Sequence, residues 1–283
     1  MMLTVVFWDV QHGSAAYIRT PTGRHIVIDL GVGSYGGGPD FSPLLYLQHE
    51  WGVERLDGVV LTHPHRDHLD DICNFHLLAP RALQRPKNVS EQDVRDGNRP
   101  TDKEIIDKYL EVDRTYCHPV ADADNPFHPA NNGGVSIQSY HPSSGSPSNL
   151  NNRSIVTVVS YGGIKIVVPG DNEAASWDAL LQQSAFVAAT RNTDILVASH
   201  HGRESGFSPV LVEHMSPKLT IISDGRFVDT SATSRYSAKT SGLVVTRRSG
   251  ATEQRKCVTT RTDGAISVGV GGPGHLAVAV SAG

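Results

Sequence analysis

The chain has 283 residues, long enough to bury a sizeable core as one large α/β or layered β domain, and its 25 Lys and Arg against 29 Asp and Glu leave a formal charge of −4. That balance gives no global pull toward nucleic acid, so a polyanionic partner has to be met by a local patch or by metal ions. Three cysteines, Cys73, Cys117 and Cys257, form no C-x-x-C pair and argue against a disulfide framework or a cysteine zinc site, while 27 glycines and 6% aromatics suit short strands and tight turns better than a helix bundle.

In chain order, the opening MMLTVVFWDVQHG lacks a basic leader, and Asp9 breaks its apolar run, so it reads as a first strand and not a signal peptide. Residues 3–10, 15–19 and 25–30 read as strands of a meander, joined by the turns QHGS and TPTG. Over 43–52, Leu44, Leu47 and Trp51 share one helical face, with Pro43 at the start and Gly52 at the end. The run LDGVVLTH is then a strand whose C-terminal end carries the chemistry, as layered α/β folds arrange it.

Between about 80 and 130 prolines, charges and asparagines increase and apolar periodicity fades. TDKEIIDKYLE keeps a helix there, with Thr101 and Glu104 as a capping box and Ile105, Ile106, Tyr109 and Leu110 as a narrow apolar face. The segment is expected to be a polar insertion or lid over the site, within a single domain spanning 1–283, because it is too short and polar to own a core. Strands resume at 135–140, 154–160 and 164–168, a helix covers 173–189, and TDILVASHH is a buried strand ending in histidines. The tail 217–280 offers the strands KLTIISD, LVVTRR, KCVTTRT and AISVGV, giving an α/β layered architecture of two mixed sheets with helices outside. No stretch approaches the roughly 20 apolar residues that span a bilayer, so a soluble, cytoplasmic protein with no membrane partner is expected.

Three strand ends collect metal-capable side chains. LTHPHRDHLDD, residues 61–71, places His63 and His65 at i and i+2 on an extended segment, where side chains point the same way. Asp67 and His68 follow in a turn and can face a second cation. VVPGDNE supplies Asp171, and LVASHHGRESG supplies His200 and His201. Two neighbouring divalent cations need a shared carboxylate to offset their repulsion, and a bridging Asp171 from another strand end provides one. Imidazole with carboxylate suits Zn²⁺, Mn²⁺ or Fe, and the lack of thiolates disfavours a purely structural zinc.

These residues resemble the metallo-β-lactamase superfamily, whose H-x-H-x-D-H signature is matched by His63, His65, Asp67 and His68. More narrowly, FWDVQHGSAAYI, IVIDLG, LTHPHRDH, His141-Pro142, NNRSIV, VVPGDNE, HHG and RTDGAISV follow in the order of the C-terminal hydrolase domain of ComEC-type DNA-uptake proteins and their stand-alone relatives. The resemblance implies an αββα sandwich with one metal on His63, His65 and bridging Asp171. It implies a second metal on Asp67, His68, Asp171 and one of His200 and His201, with His200 slightly preferred. Asp29 in IVIDLG is implied to support the metal histidines from behind. A further superfamily histidine has no clear counterpart, so His141, Asn151 and Asn152 are candidates to complete the first site, and an Asn there favours Mn²⁺. Ser14 stands where the relatives have Asp, and His12 and Asp9 are left without a role.

The function implied is a dimetal hydrolase, Zn- or Mn-dependent, most simply a phosphodiesterase or nuclease that uses a metal-bridging hydroxide with Asp67 and Asp171 as its catalytic carboxylates. Arg81, Arg85 and Lys87 at the entry of the insertion are expected to hold a phosphate of the nucleic-acid substrate, with Arg247, Arg248, Arg255 and Lys256 as a further basic supply. Hydrolysis of a carbon ester, lactone or thioester by the same site is the alternative, and a metal-stabilised binding protein without turnover is a third reading.

Overall fold

The computed structural model describes residues 2–34, 40–142, 149–225 and 232–283. The chain opens with β1 (Leu3–Phe7), β2 (Ala16–Arg19) and β3 (His25–Ile28), an antiparallel meander. Helix α1 (Pro43–His49) then crosses to β4 (Gly58–Val60), and β5 (Ala82–Gln84) follows, both parallel to β3. Helices α2 (Glu91–Asp96) and α3 (Lys103–Thr115) precede the second sheet, which starts with β6 (Ser136–Tyr140), β7 (Val156–Tyr161) and β8 (Ile164–Val168).

Next come α4 (Ala174–Leu181), α5 (Ser184–Thr190), β9 (Ile195–Val197), α6 (Pro209–Met215), β10 (Leu219–Ile222) and α7 (Thr233–Lys239). The chain returns to the first sheet for β11 (Leu243–Thr246) and β12 (Thr252–Arg255), and adds β13 (Cys257–Thr259) to the second. After α8 (Thr260–Asp263) it closes with β14 (Ile266–Val270) and β15 (Leu276–Val280) in the first sheet. The strand orders are β12-β11-β15-β14-β1-β2-β3-β4-β5 and β13-β10-β9-β8-β7-β6.

Alternation along the strands dictates the layers. Leu3, Val5 and Phe7 of β1 turn to one face and pack with Ile137, Val159, Ile166 and Ile221 of the second sheet, forming the central core. Val6, Tyr17, Val27 and Val59 turn the other way, and α1 and α3 cover them with Leu44, Leu47, Ile106 and Tyr109. On the far side Val158, Val167 and Leu196 lie under Trp177, Phe186, Leu211 and Met215 of α4, α5 and α6. Each such buried side chain is worth about 1.5–3 kcal/mol, so a strand with apolar residues on both faces needs cover on both. The result is the αββα sandwich that the resemblance implies.

Residues 80–130, read from the sequence as an inserted cover, supply an edge strand and most of one outer layer. Val94, Ile106, Tyr109, Leu110 and Val112 are buried in the core under the first sheet, and Phe127 reaches the core between the sheets. The polar composition belongs to the outer face of α3. Only the stretch from Gly97 to Asp102 reaches the cleft described below. Thr101 does not cap α3: a tight 3₁₀ turn at Pro100–Asp102 precedes the helix, whose N-cap is Asp102 with no side-chain bond. The helix expected over 173–189 breaks at Gln182 and Gln183, because α5 begins on a new axis after an extended Gln183.

Candidate metal centre

Strands β3, β4 and β5 of one sheet and β8, β9, β10 and β13 of the other run parallel, and the site forms where the C-terminal ends of β4, β8 and β9 meet. After β4 the chain passes Thr62 and His63 to an extended His65, then folds into a 3₁₀ turn at Arg66–His68 that brings Asp67 and His68 back over the strand end. Behind it lies Asp29, fully buried and held at φ 61°. Its carboxylate accepts from Thr62 N at 2.7 Å, from Thr62 Oγ1 at 2.9 Å and from His68 Nδ1 at 2.8 Å. Asp71, buried one turn later, accepts from Ser42 Oγ at 2.6 Å and Leu44 N at 2.8 Å, tying the motif to the start of α1.

The same logic fixes the other imidazoles. His63 Nδ1 lies 3.2 Å from Thr62 Oγ1, and His201 Nδ1 donates to the Ser223 carbonyl at 3.0 Å. With Nδ1 committed in each case, Nε2 of His63, His68 and His201 points inward, the arrangement a metal ligand requires.

Two adjacent half-sites result. In one, His63 Nε2 and His65 Nδ1 lie 3.0 Å apart, with Asp171 Oδ2 3.8 Å from His63 Nε2. In the other, Asp67, His68, Asp171 and His201 each offer an atom within 4.8 Å of the rest. His201 Nε2 is 3.3 Å from Asp67 Oδ2, 3.5 Å from Asp171 Oδ2 and 3.3 Å from His68 Nε2, and His68 Nε2 is 3.3 Å from Asp171 Oδ1. Asp171 Oδ2 thus faces an imidazole of each half-site, and Oδ1 faces His68. Asp171 is positioned by its own N–H, which donates to Ser154 Oγ at 3.0 Å. Gly170 precedes it at φ 61°, where a Cβ would collide with Ser154 and Thr62 at 2.8 Å.

The slight preference for His200 is corrected by this geometry. His200 and His201 both take left-handed backbone, φ 50° and 54°, and the turn sends His201 into the cluster. His200 instead turns toward Ser205 Oγ at 2.8 Å and Glu173 at 3.2 Å, with Nε2 3.9 Å from Asp171 Oδ2.

The electrostatics are those of a cation site. Burial alone would lower the His68 and His201 imidazoles, but the carboxylates of Asp171, Asp29 and Asp67 outweigh it, raising His68 well above its ordinary value and His201 to about 10. Burial pushes Asp67 and Asp171 up, yet the same histidines hold both far below the usual carboxylate range. His63, buried beside His68, is driven well below its ordinary value and stays neutral, as a ligand must be.

The remaining candidates divide. Asn151 lies against His65, its side chain interacting with that imidazole. A side-chain carbonyl oxygen beside two inward-facing imidazole nitrogens is a donor set that fits a cation in the first half-site. Asn152 accepts from Glu173 N at 3.0 Å and steadies the start of α4. His141 is exposed beyond β6 and outside the cluster, its carbonyl accepting from Gln183.

Arg81, Arg85 and Lys87 do not line the cleft of the cluster. Arg85 is buried and donates to Asp113 and to the carbonyls of Asp113 and Tyr116, Lys87 pairs with Asp113, and Arg81 lies 3.9 Å from Asp57. They line a separate hollow of about 350 Å³. Arg247 and Arg255 pair with Glu253, and Arg255 also with Asp263. Sequence reasoning missed Arg203 and left His12 without a role, yet both line the cleft of about 570 Å³ that opens onto Asp67 and Asp171. Nothing local marks Arg203 beyond its place just after the histidine pair.

No family model matches the chain. The ComEC-type resemblance read from the motifs is borne out by two curated relatives. ComE operon protein 3 of Bacillus subtilis (strain 168) is 24% identical over 241 residues, 77% of this chain and 28% of that protein. Recombination protein 2 of Haemophilus influenzae is 28% identical over 225 residues, 77% of this chain and 24% of that protein. The chain therefore spans about a quarter of the length of these relatives. Among solved structures, the short form of human tRNase Z covers 79% of this chain and 93% of its own at 15% identity, with a TM-score of 0.43. No described helix is long and apolar enough to cross a membrane.

Proposed function

We propose that the chain is a dimetal-dependent phosphodiesterase acting on nucleic acid or another phosphodiester. The observation that carries this reading is the pair of adjacent half-sites sharing Asp171, at the floor of an open polar cleft. His63, His65, Asp171 and the Asn151 oxygen would hold one divalent cation, and Asp67, His68, Asp171 and His201 the other. When bound, such a pair supplies Lewis-acid charge on both sides of a phosphoryl displacement and acidifies water toward a pKa of about 7.

The rest is the work of the chain. Asp29, Thr62 and Ser223 hold the three Nδ1 positions so that no ligand has to reorganise. Asp171 is buried, whereas the Asp67 side chain keeps 26% of its surface exposed to the cleft. In this reading Asp67 would meet an attacking water from the cleft side while Asp171 would serve as the bridge. The name of one relative, Recombination protein 2, supports nucleic acid as the substrate class.

The test is a screen of the purified protein, loaded with Mn²⁺ or Zn²⁺, on bis-p-nitrophenyl phosphate, single- and double-stranded DNA, RNA and a lactone panel. Turnover of the phosphodiesters that disappears with chelation supports the reading. Turnover of lactones alone refutes it in favour of carbon-ester hydrolysis.

A further inference from the structure

The cleft holds a guanidinium that the scheme above does not use. Arg203 follows the left-handed His200-His201-Gly202 turn, and its Nη1 lies 3.4 Å from His200 Nε2 while Nη2 lies 3.4 Å from His12 Nε2. Those imidazoles stand beside the two carboxylates of the cluster: His12 Nε2 is 3.5 Å from Asp67 Oδ2, and His200 Nε2 is 3.9 Å from Asp171 Oδ2. The fork of Arg203 therefore straddles the cluster, one imidazole's width outward, in the wall of the cleft.

Two observations separate it from an ordinary surface arginine. Arg66, in the same cleft, is neutralised by Asp70 at 2.8 Å and Asp102 at 3.1 Å. Among the described residues Arg203 has only the two long imidazole contacts and no carboxylate partner. An arginine carries five N–H donors, so most of its donor capacity is left uncommitted in the wall of the cleft. The surroundings also fix it in place. Arg203 N donates to the His200 carbonyl at 2.9 Å. Ser223 joins the two sides of the frame, donating from Oγ to the Gly13 carbonyl at 2.7 Å and accepting from His201 at its own carbonyl. The loop that carries His12 and the turn that carries Arg203 are thus braced against each other through one residue.

We propose that Arg203, framed by His12 and His200, is the specificity-determining residue of this site, pairing with a non-bridging oxygen of an anionic phosphodiester whose phosphorus lies over Asp67, Asp171 and His201. The inference rests on the phosphodiesterase reading and sharpens it. A planar guanidinium matches phosphate oxygens with two parallel N–H donors, whereas a neutral ester or lactone presents no charge to it. A site built around such a donor set discriminates against substrates that leave it unanswered.

The experiment compares wild type, Arg203→Gln and Arg203→Lys, all loaded with Mn²⁺. Metal content is measured, thymidine 5′-monophosphate binding is followed by calorimetry at several salt concentrations, and kcat/KM is taken for bis-p-nitrophenyl phosphate and for a lactone. The Gln variant is expected to keep wild-type metal content and lose on the order of 10- to 100-fold in nucleotide affinity, the range for a hydrogen bond to a charged group. Its salt slope should flatten, its KM for the phosphodiester should rise more than its kcat falls, and its preference for phosphodiester over lactone should drop by the same factor. The Lys variant, with charge but no fork, should fall between. Nucleotide affinity within twofold of wild type in the Gln variant, or no binding by wild type, overturns the assignment, as does loss of metal in the Gln variant. A wild type that turns over only lactones yet binds the nucleotide through Arg203 overturns the phosphodiesterase reading and leaves the anion contact standing.

Discussion

Asp29→Asn tests the construction of the second half-site at one atom. The position has φ 61°, a region that Asn tolerates, so the backbone is not the variable. The amide oxygen can keep the bond from Thr62 N, now at 2.7 Å. The amide nitrogen then falls where Oδ2 accepted from both Thr62 Oγ1 and His68 Nδ1. Thr62 Oγ1 can reverse and accept, but a neutral His68 with its proton on Nδ1 would meet a donor head on. The imidazole is driven toward the other tautomer, with its proton on Nε2 and aimed at Asp171, where a cation would lie.

Loss of such an outer partner costs about 10–100-fold in metal affinity, roughly 1.4–2.7 kcal/mol. The loss should fall on the half-site of Asp67, His68, Asp171 and His201 and spare that of His63 and His65. Calorimetric titration of the chelator-treated protein with Mn²⁺ resolves the two events. Equal weakening of both sites, or affinities within twofold of wild type, would show that Asp29 supports the fold and not the ligand. A second reading comes from His68 itself, which Asp29 helps to raise. Its pKa in the metal-free variant, followed by NMR, should fall, and an unchanged value would refute the argument independently.

Four further outcomes follow from the same geometry. Asp171→Ala removes the shared ligand, so both metals and turnover of bis-p-nitrophenyl phosphate should vanish together; near-normal metal content by elemental analysis sinks the assignment. His201→Ala should lose one metal per chain whereas His200→Ala keeps two, and the reverse pattern would restore His200 as the ligand. In the metal-free protein, the raised His201 stabilises the fold fully below its unfolded value of about 6.5, and that contribution is lost as pH rises through about 10. The depressed Asp67 and Asp171 stabilise above about 4 and stop doing so as pH falls, so the melting temperature should peak between about 4 and 6.5 and decline toward 10; a flat calorimetric profile contradicts the charge pattern. Arg85→Ala should cost roughly 2–3 kcal/mol in urea unfolding, below the range for a fully buried pair because Asp113 is 35% exposed, and should leave KM for a phosphodiester unmoved.

What the sequence showed and hid follows from the range of each interaction. His63, His65, Asp67 and His68 are legible because strand alternation and one tight turn set their directions within six residues. The αββα layers are legible because β1 is apolar on both faces. The fate of Arg85 is not, since its partner Asp113 arrives from α3, 28 positions on. Composition hides how 80–130 packs for a related reason: α3 is polar along much of its length and buries a stripe at Ile106, Tyr109, Leu110 and Val112, which suffices to seat it. Edge strand β12, Thr252–Arg255, has no apolar alternation, and only its backbone pairing with β11 makes it a strand.

The choice between His200 and His201 was hidden for a different reason, one that bears on function. Among the described residues six non-glycine positions have positive φ; three of them, Asp29, His200 and His201, lie at the cluster, and a fourth, Gln11, precedes His12. Each such residue costs about 1–2 kcal/mol relative to ordinary backbone. A chain selected for stability alone would place glycine at these positions, as it does at Gly170 and Gly202. Side chains are retained there instead because the left-handed turn points consecutive residues in directions that strand or helix geometry cannot. His201 goes down to Asp67 and Asp171, His200 goes sideways to Glu173, and Arg203 reaches back over His200. Sequence periodicity presumes regular backbone, so it fails where the chain departs from it, and here the departure is what separates the member of the cluster, His201, from its neighbour.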